Sequence, residues 1–277
     1  MGGRAFQADK SGVWGGKRDR EANAFVNIGR MGSPVNGYFE LQRLLRTEDV
    51  DANAEWRFSD IFIAMQEAGG EHCERNGLGI RALRERNLAW VVTRACVHID
   101  RMPRILETVT VRTWPKPPKH AFFPRYYQFL VNGEPIGVAS TLYAQLDLTT
   151  RRMAPPWLGG NDELTSDLEP SLPLPGNLPI LTVTAGASVR EARYSDLDIN
   201  AHVNNARYLD WFCDLFPMEV HRAQRLTDVT IHYDREIRAG ETAALSLQTE
   251  GMQSLLRGTV DGGNCFAMAG TWAKRQG

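Results

Sequence analysis

The 277-residue chain lacks an excess of charge of either sign: 32 Lys and Arg stand against 33 Asp and Glu, a formal net of −1. That balance excludes a nucleic-acid binder of the broadly basic kind, whose affinity rests on surplus cations. Long apolar runs are also missing. The longest, such as Leu88 to Val92, are only a few residues, where a membrane-spanning helix needs about 20. Cysteine is scarce. Cys73, Cys96, Cys213 and Cys265 are too far apart for a CxxC or zinc-knuckle pattern, and read as small hydrophobes in a reducing compartment. No two histidines have metal-ligand spacing on one element, and neither GxGxxG nor GxxxxGK[ST] occurs. No cofactor and no metal are expected. Residues 1–33, rich in Gly, Arg and Lys early on, lack the apolar core of a secretory signal. They read as a disordered leader, with Met31 a start for the folded part.

What is present is ordinary globular composition, 43% apolar and 23% charged, with chain enough for a sizeable core. Tyr38 to Val50 begins with strand-type alternation. A helix follows, with Ser59 as candidate N-cap, Asp60 in the first turn and Ile61, Met65 and Ala68 on one face. Gly77 and Gly79 end it. Strands are expected over Ala89 to Arg101, Glu107 to Trp114, Tyr126 to Val131 and Ile136 to Leu148, the last two joined by the turn Asn132-Gly133-Glu134-Pro135. Prolines 155, 156, 170, 173, 175 and 179 mark 154–179 as a linker. The order then repeats: a strand over Ala187 to Tyr194, a polar loop, a helix over Asn204 to Phe216 stopped by Pro217, and four strands near 226–236, 242–250, 253–260 and 264–273.

The repeat is also visible in residues. His98 to Thr108 aligns ungapped with His232 to Thr242 at an offset of 134, with His, Asp, Arg, Arg, Glu and Thr shared. Such spacing implies a duplicated domain rather than a solenoid: an N-terminal unit over 34–153 and a C-terminal unit over 180–277. Each is one helix wrapped by one antiparallel sheet, an α+β arrangement, with the two sheets joined edge to edge.

The second copy holds Asp198, Asn200 and His202 at i, i+2 and i+4, so an extended segment points all three one way. The free amides of the following helix, near Val203 to Asn205, face the same space. An acid, an amide, an imidazole and backbone donors suit attack on a carbonyl. A capped helix with a polar loop in front accounts for the same spacing. Glu236 reads equally as a surface strand acid. His98 and His232 occupy equivalent strand positions and read as structural; His72, His120 and His221 read as solvent-facing. Trp90, Trp114, Trp211 and Trp272 read as core.

The run Asp198-Ile-Asn200-Ala-His202-Val-Asn204-Asn205, about 30 residues ahead of Tyr233-Asp-Arg-Glu236, resembles the signature of the acyl-[acyl-carrier-protein] thioesterases of plant plastids and bacteria. Asn87 to Val92 with Asp100-Arg101 resembles the family's first-domain strand, and the likeness runs from about Tyr38 to Trp272. The resemblance implies a tandem (double) hotdog fold. It implies hydrolysis of fatty acyl-carrier-protein thioesters in fatty acid biosynthesis, with Asp198, Asn200, His202 and Glu236 as catalytic residues. Many members carry Cys after that Glu; here it is Ile237, so hydrolysis must rely on Glu236. The first copy has Met102 at the equivalent position and no DxNxH run.

The partner so implied is acyl-carrier protein with its phosphopantetheine-linked chain. Nucleic acid and membrane are not expected partners, the compartment is the bacterial cytoplasm, and the chain is a monomer or homodimer. Carrier recognition is expected from a local basic cluster, among Lys116, Lys119 and Arg125, Arg151-Arg152, or Arg222 with Arg225, the last favoured because it follows the helix that begins at the polar loop. The acyl tunnel is expected along the first helix at Ile61 and Met65. Alternatives are an acyl-CoA thioesterase on the same fold and a non-catalytic acyl-binding hotdog protein.

Overall fold

The computed structural model describes residues 37–155, 165–181 and 188–275. The expected leader 1–33 lies outside them, as does part of the expected linker. The first half contains β1 (Phe39–Leu44), α1 (Phe58–Arg75), α2 (Ile80–Glu85), β2 (Leu88–Ile99), β3 (Thr108–Pro115), β4 (Phe122–Val131) and β5 (Glu134–Asp147). The second contains β6 (Ser188–Glu191), α3 (Arg207–Cys213), α4 (Met218–Ala223), β7 (Gln224–Tyr233), β8 (Thr242–Glu250), β9 (Gln253–Val260) and β10 (Gly263–Lys274). All strands join one antiparallel sheet in the order β1-β3-β4-β5-β2-β7-β10-β9-β8-β6. The order is mirrored about the β2–β7 seam, and each half curls round one helix, α1 or α3. This is the tandem hotdog arrangement, of α+β class.

The duplication explains the seam. Cys96 on β2 pairs with Thr230 on β7, which is its own equivalent at the offset of 134. Equivalent strands therefore meet about a local two-fold, as in an isologous dimer interface. The shared Arg and Glu residues of the repeat also gain a role. Glu107 accepts from the Arg104 amide at 2.7 Å and from Arg101 at 3.0 Å. In the second copy Glu241 accepts from the Arg238 amide at 2.7 Å and from Arg235 at 2.5 Å. Each glutamate staples the same loop.

The helix spacing read from the first copy holds: Ile61, Met65 and Ala68 are buried against the sheet. Ser59 is not the cap. Arg57 occupies that position without a side-chain cap, and Ser59 lies inside the first turn, buried, its hydroxyl without a partner. The Asn132-Gly133 turn joins β4 to β5 with φ of 53° and 84°, both positive as a type I′ turn demands.

Several histidine and tryptophan expectations need correction. His72 follows Ala68 by one helical turn, so the stripe carries it inward; it is buried and stacks on Phe39. His221 is half-buried on the Cys213 carbonyl, whereas His120 is exposed as expected. Trp114, Trp211 and Trp272 are core. Trp90 instead is half-buried against Phe123 and Tyr143. Cys96 and Cys265 are buried, but Cys73 and Cys213 are only half-buried, and all four are free thiols.

Candidate active site

The segment 198–202 is not extended. The Asp198 amide donates to the His202 carbonyl at 2.8 Å and the Ala201 amide to the Asp198 carbonyl at 3.0 Å, with Ala201 at φ 58°. The chain folds into a tight turn because the Asp198 carboxylate accepts the Asn200 amide at 2.8 Å, an Asx turn that competes with a strand. Asn200 sits at the exposed tip, its side-chain amide 3.4 Å from Asp198. Asp198 and His202 face each other across the turn, and paired residues share a face.

The helix that follows is also shorter than its pattern suggested. Asn204 Oδ1 accepts the Ala206 amide at 2.9 Å, holding the chain in a turn until Arg207. Regular helix then runs for 7 residues, with turn structure after it up to Pro217. Two of the three amides expected to be free are engaged: Val203 donates to the Ile237 carbonyl and Asn204 to the Asp196 carbonyl, both at 2.8 Å. Of these three, only the Asn205 amide has no partner among the described residues. The Tyr233 hydroxyl fixes that residue by donating to its carbonyl at 3.0 Å.

The Val203–Ile237 bond and the bridge between His202 and Arg238 lay the loop beside Glu236. His202 Nδ1 stands 3.4 Å from Glu236 Oε2. Two arginines share the carboxylate: Arg151 Nη2 donates to both oxygens and Arg238 Nη2 to Oε1, all at 2.8 Å. Partial burial pushes the Glu236 carboxyl up, but the Arg238 hydrogen bond and the His202 and Arg151 charges outweigh it and hold it below its usual range. Glu236 is therefore ionised at neutral pH. The four residues singled out from the sequence thus form two contacting pairs, Asp198 with Asn200 and His202 with Glu236.

Arg151 and Arg238 were missed as site residues. Arg238 had a signal, since residues two apart on an extended chain share a face. Arg151 had none. Of the clusters expected to dock the carrier, Lys119, Arg152 and Arg222 stay exposed, while three other members are engaged. Arg151 is occupied by Glu236, Arg125 is buried, and Arg225 is turned onto the Asp100 carbonyl at 3.2 Å.

A pocket of about 340 Å³ opens beside this loop, with Asn205 in its wall. Trp90, Val92, Phe123 and Tyr143 supply the sheet side, and Gly69, Gly70 and Cys73 the α1 side. The helix is the expected one, but Ile61 and Met65 lie in the core and do not line this pocket. The turn bearing Arg151 closes the end of the β2–β5 pair where Leu88 meets Asp147, and Trp90 opposite Gln145 is two residues further in. Asn205 is the residue through which the loop reaches the pocket; Asp198, Asn200, His202 and Glu236 do not line it.

The fold and site define the class: a tandem hotdog protein with one polar loop, in its second copy. The chain belongs to the acyl-ACP thioesterase family, whose N-terminal domain model matches residues 38–155 and whose C-terminal domain model matches 186–274. Chloroplastic acyl-[acyl-carrier-protein] hydrolase FATB2 of Cuphea viscosissima is 29% identical over 211 residues, 69% of this chain and 50% of that protein. The palmitoyl-acyl carrier protein thioesterase of Cuphea hookeriana has the same identity and coverage, 29%, 69% and 50%. The chain thus spans about half the length of these curated relatives. Among solved structures, an acyl-ACP thioesterase from Bacteroides thetaiotaomicron superposes with a TM-score of 0.80 at 24% identity, covering 86% of this chain and 98% of that one. The 12:0-ACP thioesterase from Umbellularia californica gives 0.79 at 20%, covering 88% and 100%. At these identities the superpositions speak for the fold.

Proposed function

We propose that this protein hydrolyses the thioester of fatty acyl-[acyl-carrier protein], releasing free fatty acid and ending chain elongation. The observation that carries the reading is an ionised Glu236 facing His202 on a loop that runs into Asn205, a residue of the pocket wall. A carboxylate has about four lone-pair sites. Oε1 accepts from Arg151 and Arg238 and Oε2 from Arg151, which leaves Oε2 with spare acceptor capacity on the side where His202 Nδ1 stands 3.4 Å away. A water taking that spare site lies to one side of the Glu236–His202 contact, within reach of both the base and the imidazole.

Glu236 then acts as general base on the water and His202 holds it. The Asn205 amide and the Asn200 side chain are the donors for the developing oxyanion, while Asp198 fixes the turn that presents Asn200. A thiolate is a weakly basic leaving group, so no strong general acid is needed. Ile237, in the position after Glu236, offers no thiol. The acyl chain lies in the pocket along α1.

The units 34–153 and 180–277 act together, the first supplying the pocket and Arg151, the second the loop and Glu236. Four free thiols suit a reducing compartment such as the bacterial cytoplasm. The chain already contains two hotdogs, so a monomer suffices and a homodimer is compatible with it.

Thiol release from acyl-carrier protein, with acyl-CoA of the same chain in parallel, tests the reading. The wild type should prefer the carrier-protein thioester, and Glu236→Gln should lose about 10²- to 10⁴-fold in turnover with the fold intact. Equal turnover by the variant would remove Glu236 from the mechanism. Preference for acyl-CoA would replace the substrate, and binding without hydrolysis would leave an acyl-binding protein.

A further inference from the structure

The pocket wall holds polar groups that a plain hydrocarbon chain does not explain. Arg125 on β4 lines it and is 6% exposed. Its guanidinium donates to His72 Nδ1 at 3.1 Å, Thr113 Oγ1 at 3.2 Å and Cys73 Sγ at 3.4 Å. These acceptors bring no compensating charge. Burial, with the neighbouring guanidinium, pushes His72 down to about 3, so the imidazole is neutral. No carboxylate among the described residues lies within ion-pair distance of Arg125, and its Nε–H has no partner among them. An unpaired buried cation is costly to keep. Above it α1 presents Gly69: a Cβ there would lie 3.1 Å from the Tyr127 hydroxyl, 3.4 Å from Arg125 Cδ and 3.7 Å from that Nε. The helix leaves the guanidinium open to the pocket.

A second, independent observation comes from β5. Gln145 is fully buried, yet neither its amide nitrogen nor its oxygen has a partner. It stands opposite Trp90, and Tyr143 stands opposite Val92. Alternation therefore puts Gln145, Tyr143 and Thr141 on the pocket face, and Thr141 pairs with Arg125. From the Glu236 end inward, the wall runs Gln145, Tyr143, then Arg125 about 13 Å beyond Gln145 at the strand rise. Tyr143 is engaged with the Tyr127 hydroxyl at 3.4 Å. The unpartnered polar atoms are therefore those of Gln145, buried on the pocket face beside Trp90, and the Nε of Arg125 in the lining itself.

We infer that this pocket takes an acyl chain bearing an oxygen function in its distal part, with that oxygen accepting a hydrogen bond from Arg125. A hydroxyl, an oxo group or a terminal carboxylate shares this chemistry. The inference rests on the reading above that the pocket holds the acyl chain. A saturated tail buried there leaves Arg125 unpaired and also strips it of any water, whereas an oxygenated tail completes its shell.

The test uses the full chain and carrier-protein thioesters of one chain length: saturated, 3-hydroxy, distal hydroxy, distal oxo and ω-carboxy. At least one distally oxygenated chain should exceed the saturated one by about tenfold or more in kcat/KM, the worth of one charge-assisted hydrogen bond. The 3-hydroxy chain, whose oxygen stops near Gln145, should gain less. Arg125→Met should bring the ratio of distal oxygenated to saturated substrate close to one. Should that variant fail to fold, Arg125→Lys keeps the charge, loses the Nε donor and should lower the same ratio. Thermal shifts of the wild type with the free acids give a readout independent of hydrolysis, and should rank the acids in the same order. Hydrolysis of all chains alike, or a ratio unchanged by substitution at Arg125, overturns the inference and leaves the hydrolase reading standing. Ranked binding of the free acids without any thioester cleavage supports the inference and sinks the hydrolase reading instead.

Discussion

Arg151 and Glu236 stand 85 residues apart, one in each half of the chain, and meet with a single Nη2 donating to both carboxylate oxygens at 2.8 Å. Arg151 closes a turn in which Asp147 accepts the amides of Thr149 at 2.9 Å and Thr150 at 2.7 Å. It pays with a left-handed backbone at φ 57°, a conformation that non-glycine residues rarely adopt. The first half thus adds to the second half's own Arg238 and His202 in holding the Glu236 carboxyl below its usual range.

Removing that contact should move a pH profile. Glu236 is held below its usual range by Arg238, His202 and Arg151 together, so activity that needs the carboxylate is lost as pH falls through its depressed pKa. Arg151→Gln removes one positive neighbour, the pKa rises, and the acid limb of kcat/KM should shift to higher pH with reduced turnover. An acid limb that stays in place would mean that Arg151 only joins the two halves.

Asp60 gives a stability prediction of known sign. Burial, against the pull of Arg57 and Arg43 and with help from Asp49 and Asp210, raises its carboxyl to about 6. Its Oδ2 has no hydrogen-bond partner. A raised carboxylate pKa means the folded state holds the proton longer, so stability falls as pH climbs from about 3.8 to about 6. Asp60→Asn should therefore be more stable than wild type at pH 8, by up to about 3 kcal/mol, and equal to it near pH 3. Urea denaturation at both pH values checks this. His72 titrates in both proteins and cancels in the difference.

Gly258 on β9 marks a close approach. A Cβ there would lie 2.0 Å from the ring of Phe266, which is fully buried in the shared core. The ring has no open side to move into, so Gly258→Ala should cost about 1–3 kcal/mol as overpacking. A drop in the urea midpoint without a change in slope would report it.

The proposed carrier-protein substrate gives a further prediction at α2. Arg81, Arg84 and Arg86 are exposed on or just after the short helix whose Gly79–Ile80 start lines the pocket. Charge reversal at two of them should raise KM for the acidic carrier thioester several-fold and flatten its salt dependence, with no effect on a small acyl thioester. Unchanged salt dependence would leave the phosphopantetheine arm as the main recognition element.

Periodicity and duplication in the sequence were enough to predict the strands, α1, the Asn132-Gly133 turn and two matched halves, because those follow from contacts a residue makes within its own element. Residue types drew attention to Asp198, Asn200 and His202, but it was the resemblance to the thioesterase family that added Glu236 and gave the four a shared role, with their absence from the first copy in agreement. Local hydrogen bonding that spacing does not record decided the rest of that loop: Asp198 bends it and Asn204 delays α3. The inward turn of His72, the partners of Glu236 and the unpaired charge of Arg125 were settled only by tertiary structure. A guanidinium sits on a flexible stem that looks alike in sequence whether it is solvated, paired or buried. Only the packing of β2 against β7, and of α1 over β4, determines which acceptors lie within its reach.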